Sequence, residues 1–159
     1  MKEILNPYAK LEGHNCFGCS PENQFGLRLK FFEDGDELVC RWKPEERFQG
    51  WVNVLHGGIQ ATLMDEIASW VIFLKKDTVG MTYRLNTKYR KPVYMDKGEI
   101  SLRAKLMGTR RNISEIEVTL TDADGQLCSE AVVEYFIFPE EKARKEMHFP
   151  GRDAFIAKP

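Results

Sequence analysis

The spacing of hydrophobic residues changes along the chain and divides it into strand-like and helix-like segments. Residues 1–26 are irregular and rich in Gly, Asn, Pro and Cys, whereas residues 27–32 and 37–42 have strand character and flank a Glu-Asp-Gly-Asp turn. Within residues 57–76, apolar side chains recur at helical spacing and cover most of the circumference. This pattern predicts one long helix that is buried against a broad surface such as a sheet.

A two-residue period follows the helix and predicts four further strands. These strands cover residues 82–90, 99–106, 115–120 and 126–138. The order of two strands, one helix and four strands predicts an α+β domain in which an antiparallel sheet of about six strands wraps around one long central helix. We expect this domain to occupy residues 1–139, and residues 140–159 to form a short charged helix and a mobile tail.

Composition and charge exclude several classes of protein. The 159 residues are 43% hydrophobic and 30% charged, with a formal net charge of -1, which is typical of one soluble domain and does not indicate a nucleic-acid partner. Residues 1–10 have no apolar stretch typical of a secretory signal, so we expect none. The most apolar stretch carries Asp65 and Glu66 in its middle, so we expect no membrane span and a cytoplasmic location.

The four cysteines do not predict a disulfide framework, because the chain lacks secretory features. His14, Cys16 and Cys19 could supply three ligands to a metal ion. A structural zinc site normally needs four ligands, and no second Cys-x-x-Cys pair exists to complete it. We therefore expect a packed N-terminal loop, no metal and no separate cofactor.

The beginning of the predicted helix carries the clearest chemical signal. Gly57 and Gly58 allow a ligand to approach the backbone closely. The amides of a first helical turn are unpaired and lie at the positive end of the helix dipole. They would stabilise the oxygen of a thioester carbonyl as it becomes negative during attack.

Asp65 is the candidate catalytic carboxylate, seven residues after Gly58 on a side of the helix lined with small residues. The two positions are separated by roughly 10 Å along the helix axis, so they cannot both contact one carbonyl within a single chain. A second copy of the chain resolves this problem, which predicts a homodimer or a dimer of dimers. The adjacent Glu66 points about 100° around the helix and is the second candidate.

Several motifs resemble one known family when they are taken together. They are His56-Gly57-Gly58 with Asp65 nine residues after the histidine, the series Thr82, Leu85, Tyr89 and Pro92, and the upstream Cys-Phe-Gly-Cys at 16–19 with Gly26-Leu27. Over most of residues 14–138 the chain resembles the hotdog-fold thioesterases, in particular the branch of the phenylacetic-acid-pathway thioesterase.

This resemblance implies hydrolysis of an acyl-CoA thioester, with CoA as part of the substrate. Asp65 would act as general base or nucleophile, the Gly57 and Gly58 amides would form the oxyanion site, and Thr82 would orient the water. His56 is assigned a structural role at the helix entrance, with catalysis as the alternative. The candidate CoA-binding residues are Asn53, Arg90, Lys91, Arg110 and Arg111.

Less specific interpretations stay open for the same residues. Asp65 could be a satisfied buried acid, Thr82 a residue on the polar face of a strand, and the basic residues solvated. Tyr83, Leu85 and the following odd positions alternate with polar residues, which is the basis for placing Thr82 on that polar face. The alternative functions are a hydratase or dehydratase of the same fold and a module that binds acyl-CoA without turnover.

Overall fold

The protein forms one antiparallel sheet that curves around a long helix. A computed structural model describes residues 1–157. The strands are β1 Lys2–Glu3, β2 Phe31–Asp34, β3 Glu37–Trp42, β4 Gly80–Tyr89, β5 Ile100–Arg110, β6 Ile113–Thr121 and β7 Leu127–Ile137. The helices are α1 Gly57–Lys75 and α2 Glu140–Glu146.

The seven strands are ordered β1-β2-β3-β5-β6-β7-β4, and every neighbouring pair is antiparallel. Helix α1 lies across one face of this sheet and contacts β3 to β7. Its side chains Leu63, Ile67 and Val71, spaced by four residues, are fully buried against the sheet. Burying each contributes roughly 1.5–3 kcal/mol, which accounts for the position of the helix.

The two edges of the sheet differ in how they are covered. At the β1 edge, Ile4 forms an isolated bridge with Ile156. At the other edge, β4 pairs with β7 on one side and with no strand of the described residues on the other. This long edge strand exposes large side chains, including Tyr83, which is 61% exposed. An open edge of this length is a surface on which another strand can pair.

The segment after α2 packs against the domain. Phe149 and Phe155 are buried, and their rings contact Phe73 on α1. Phe155 also packs edge-on against Trp70 at a centroid distance of 5.6 Å. Burial of these aromatic rings outweighs the charged composition, so the mobile tail expected here is wrong for the described residues; positions 158–159 lie outside them.

The predicted fold class is confirmed, with differences at the N-terminal end. The sheet has seven strands instead of about six because β1 lies in the segment predicted to be irregular. The strand predicted at 27–32 begins only at Phe31. Leu27 and Leu29 instead donate backbone hydrogen bonds to Phe17 and Gly18 of the N-terminal loop. None of the described helices is long and apolar enough to span a membrane.

Candidate active site

The carboxylate of Asp65 projects from α1 toward β4 and β7, where two hydroxyl groups hold one of its oxygens. Thr82 Oγ1 donates to Asp65 Oδ1 at 2.9 Å. The Tyr135 hydroxyl donates to the same oxygen at 2.5 Å and to the Asp65 carbonyl at 2.7 Å. Within the described residues, Oδ2 has no hydrogen-bond partner. One carboxylate oxygen is therefore fixed and the other is available to a ligand.

A β-bulge turns Thr82 toward the helix. The pairing of β4 with β7 matches Thr82 with Tyr135 and Arg84 with Glu134, so Tyr83 is the extra residue. The bulge reverses the alternation, and Tyr83 is exposed to solvent while Thr82 contacts Asp65. Alternation alone would place Thr82 on the outer face, and the bulge is the reason why Thr82 instead contacts Asp65.

Tyr135 is a site residue that the sequence reasoning missed. It is only 2% exposed, and burial together with the negative charge of Asp65 raises the pKa of its hydroxyl well above the ordinary value. The group therefore stays protonated and acts as a donor. A tyrosine within an apolar strand indicates that its hydroxyl has a buried partner. That partner, Asp65, could not be named without the packing of α1 against β7.

Glu66 points to the other side of α1, against the N-terminal loop. Its carboxylate accepts from Trp70 Nε1 at 3.2 Å and lies 3.5 Å from Cys16 Sγ. Burial raises the pKa of this carboxyl to about 7. A Cβ atom placed on Gly18 would come within 2.4 Å of the Glu66 carboxyl carbon, so loop backbone covers the group. Its pKa suits a general base, but its enclosure does not suit contact with a substrate.

The helix start is organised by His56 and Tyr89. His56 is the N-cap residue, and its Nδ1 accepts from the Gly58 amide at 2.9 Å. The Tyr89 hydroxyl donates to the Gly57 carbonyl at 2.6 Å. The Gly57 amide has no partner among the described residues. Both amides were predicted to form the oxyanion site, but only the Gly57 amide is open, because the Gly58 amide is bonded to His56. The contact that His56 makes is a structural one.

These two groups of residues lie at opposite ends of β4. Thr82, with Asp65, is near the first residue of the strand, and Tyr89, with Gly57, is the last. Gly57 and Asp65 are eight residues apart on α1, so the open amide and the carboxylate are separated by roughly 12 Å along the helix axis. A single chain does not bring the carboxylate and the open amide to one carbonyl.

The candidate CoA-binding residues are also divided between the two ends of the sheet. Arg90 and Lys91 follow β4 and contact Glu130 at 2.6 Å and Gln126 at 3.0 Å, respectively. Arg110 and Arg111 form the β5–β6 turn and line a surface cavity that also includes Tyr83. Each pair alone presents cations, but one chain does not combine all four around one ligand.

Asn53 ties together the loops that precede α1 and β5. Its φ is 60°, a left-handed conformation that asparagine tolerates better than most residues. Its Oδ1 accepts from the Asp96 amide at 3.1 Å, and its carbonyl accepts from the Met95 amide at 3.0 Å. In the structure, both of these hydrogen bonds of Asn53 stabilise the loops.

An antiparallel sheet wrapped around one long helix, with a His-Gly-Gly helix start, defines the hotdog fold. Solved thioesterases share this fold. Thioesterase HI1161 from Haemophilus influenzae has a TM-score of 0.64 and 20% identity, covering 72% of this chain and 80% of that chain. A Streptococcus mutans protein solved with acetyl-CoA has a TM-score of 0.65 and 16% identity, covering 81% and 96%.

The sequence comparisons find similarity to thioesterases over about half of the chain. The profile described as "Thioesterase superfamily" matches residues 52–129, which include the helix start, Asp65 and Thr82. Mouse acyl-coenzyme A thioesterase 13 is 27% identical over 88 residues, which are 55% of this chain and 62% of the mouse protein. The aligned part is thus less than two thirds of that relative. Over residues 52–129 the chain is similar to the thioesterase superfamily; its membership of that superfamily and its place in the phenylacetic-acid-pathway branch stay predictions.

Proposed function

We propose that the protein hydrolyses an acyl-CoA thioester to the free acid and CoA in an active site shared by two copies of the chain. The observation that carries this proposal is the distribution of polar groups along β4. Near its first residue, β4 contacts the Asp65 carboxylate through Thr82. At its last residue, it contacts Gly57, whose amide is open, through Tyr89. Both groups are needed for hydrolysis, and one chain separates them.

Pairing of two β4 edges brings the groups together. If β4 pairs with a second β4 in antiparallel orientation, the first end of one strand lies beside the last end of the other. Asp65 of one chain then faces Gly57 of the partner, and the two-fold axis generates two equivalent sites. The open edge of β4 and its exposed aromatic side chains support this arrangement.

The two carboxylate oxygens of Asp65 have different roles in the proposed hydrolysis. Thr82 and Tyr135 hold Oδ1, so Oδ2 accepts a proton from water as the water oxygen attacks the thioester carbonyl. The carbonyl oxygen becomes negative and accepts a hydrogen bond from the partner's Gly57 amide. The carbon–sulfur bond then breaks, and the CoA sulfur leaves as a thiolate that takes up a proton. Direct attack by Oδ2, followed by hydrolysis of the anhydride, is the alternative use of the same group.

The same symmetry supports a site for the CoA phosphates. In an antiparallel β4 pair, the β5–β6 turn of one chain approaches the Arg90–Lys91 segment of the other. Arg110 and Arg111 from one chain would then join Arg90 and Lys91 from the partner. Paired guanidinium groups recognise phosphate oxygens in a bidentate manner, which suits the pyrophosphate of CoA.

Release of free thiol from a panel of acyl-CoA thioesters tests the activity. We expect Asp65→Asn to lower kcat by about 10²–10⁴-fold, the range of a general base. Unchanged hydrolysis in this variant would reject the mechanism even if the activity is present. Binding of acyl-CoA at equilibrium without release of CoA would instead identify a binding module.

A mixed-oligomer experiment tests the shared site. Asp65→Asn and Gly57→Pro chains are each expected to be inactive alone. When they are unfolded together and refolded at equal concentration, half of the dimers are mixed, and each mixed dimer has one intact site. The activity per chain should therefore recover to about a quarter of the wild-type value. No recovery, with mixed dimers present by mass, would show that both groups act within one chain.

A further inference from the structure

The N-terminal loop gathers three metal-ligating side chains beside α1. His14, Cys16 and Cys19 each place one nitrogen or sulfur atom so that all three lie within 4.8 Å of one another. Ligand atoms at about 2.0–2.3 Å from a tetrahedral ion lie roughly 3.3–3.8 Å apart. The observed spacing thus needs only a small contraction to surround an ion.

Backbone contacts hold this loop in one conformation. The Gly18 amide donates to Cys16 Sγ at 3.3 Å, and the Ser20 amide donates to the Cys16 carbonyl at 3.1 Å. Amide donation to a cysteine sulfur stabilises the thiolate form that binds metals. The His14 ring stacks on Tyr8 at a centroid distance of 5.6 Å, which fixes its orientation.

At this loop one buried ring nitrogen lacks a hydrogen-bond partner, and one enclosed carboxylate lacks a cation. His14 Nδ1 is buried and has no hydrogen-bond partner among the described residues. The Glu66 carboxylate is covered by the loop, lies 3.5 Å from Cys16 Sγ, and forms no ion pair with a described lysine or arginine. Buried carboxylates are normally paired with a cation or coordinate a metal. The Glu66 carboxylate therefore lies beside one of the three clustered side chains, that of Cys16.

We propose that the protein binds a structural divalent metal ion of the zinc class, with His14, Cys16 and Cys19 as ligands and Glu66 as the fourth. The sequence offered three ligands and no second Cys-x-x-Cys pair, whereas the fold places a carboxylate of α1 3.5 Å from Cys16 Sγ, from where it could become the fourth ligand. Two thiolates, one carboxylate and one neutral imidazole give a closed tetrahedral set, which is typical of structural sites and leaves no open position for catalysis. The ion would tie the N-terminal loop to the helix one residue from Asp65.

The proposal is independent of the thioesterase activity, because metal content is measured on the protein itself. The tag-free chain is purified with a thiol reductant, incubated with zinc, passed over a desalting column and analysed by inductively coupled plasma mass spectrometry. We expect about one zinc ion per chain. The double variant Cys16→Ser, Cys19→Ser should hold less than about a tenth of that amount. Cys128→Ala removes a buried thiol elsewhere and should retain the full amount.

Spectroscopy and a fourth-ligand variant test the coordination directly. Cobalt substitution should produce thiolate charge-transfer bands and the intense visible bands of a tetrahedral ion. Glu66→Gln keeps the size of the side chain, and we expect its affinity for zinc, measured against a chelator, to fall at least about tenfold. Substoichiometric zinc in the wild type, unchanged zinc in the double cysteine variant, or cobalt spectra without thiolate bands would each overturn the proposal. An unchanged affinity in Glu66→Gln would remove Glu66 from the ligand set and overturn the site as stated.

Discussion

Replacing Gly57 by proline removes one hydrogen-bond donor from the helix start while leaving the helix intact. Gly57 is the first residue of α1, a position where proline is favoured because its amide has no partner within the helix. The preceding His56 has φ -55° and ψ 132°, the extended region that a residue before proline adopts. The substitution is therefore expected to fold.

The expected effect follows from the role of a single oxyanion donor. Loss of one such donor costs about 10²–10³ in kcat, or roughly 2.7–4 kcal/mol of transition-state stabilisation. The Gly58 amide does not compensate while it is bonded to His56 Nδ1 at 2.9 Å. We expect Gly57→Pro to lower kcat within this range and to change KM much less.

Gly57→Ala is the matched control, because it adds a Cβ atom and keeps the amide. That Cβ would lie 3.5 Å from the Tyr89 ring, an ordinary van der Waals contact. Initial rates of thiol release from the best substrate of the panel give kcat and KM for both variants, and circular dichroism confirms that each is folded. The reasoning is refuted if folded Gly57→Pro keeps kcat within about threefold of wild type, or if Gly57→Ala loses as much activity as the proline variant.

Three further predictions test the other contacts. Tyr135→Phe removes a donor to the Asp65 carboxylate worth about 1.5–3 kcal/mol, so we expect kcat to fall by about 10–150-fold. An unchanged kcat would contradict this role. His56→Ala should lower the free energy of unfolding by about 1 kcal/mol because the N-cap is lost. His56→Asn keeps a capping side chain and should retain both stability and kcat. A large loss of kcat in His56→Asn would indicate catalysis by the imidazole. Phe155→Ala should lower the free energy of unfolding, measured in urea, by about 3–5 kcal/mol. Phe25 is 79% exposed, so Phe25→Ala is the control and should be nearly neutral. Equal effects of the two substitutions would mean that the aromatic cluster is not formed in solution.

Local pattern was sufficient for most of the elements and for part of the site. The apolar stripe of α1 predicted a helix over residues 57–76, and the observed helix is Gly57–Lys75. The Gly-Gly helix start and Asp65 were visible because backbone amides at a helix terminus and a carboxylate on an apolar helix have recognisable sequence signatures. These features depend on residues close together in the chain, and the comparisons find similarity to the family that these features predicted.

Tertiary structure alone decided which residues complete the site. Thr82 reaches Asp65 because the bulge at Tyr83 reverses the strand alternation, and Tyr135 joins them through the pairing of β4 with β7. The contact between Cys16 and Glu66 joins residues that are 50 positions apart. Strand register and loop packing are set by the free energy of the whole folded domain, so a local pattern of polar and apolar residues does not specify them.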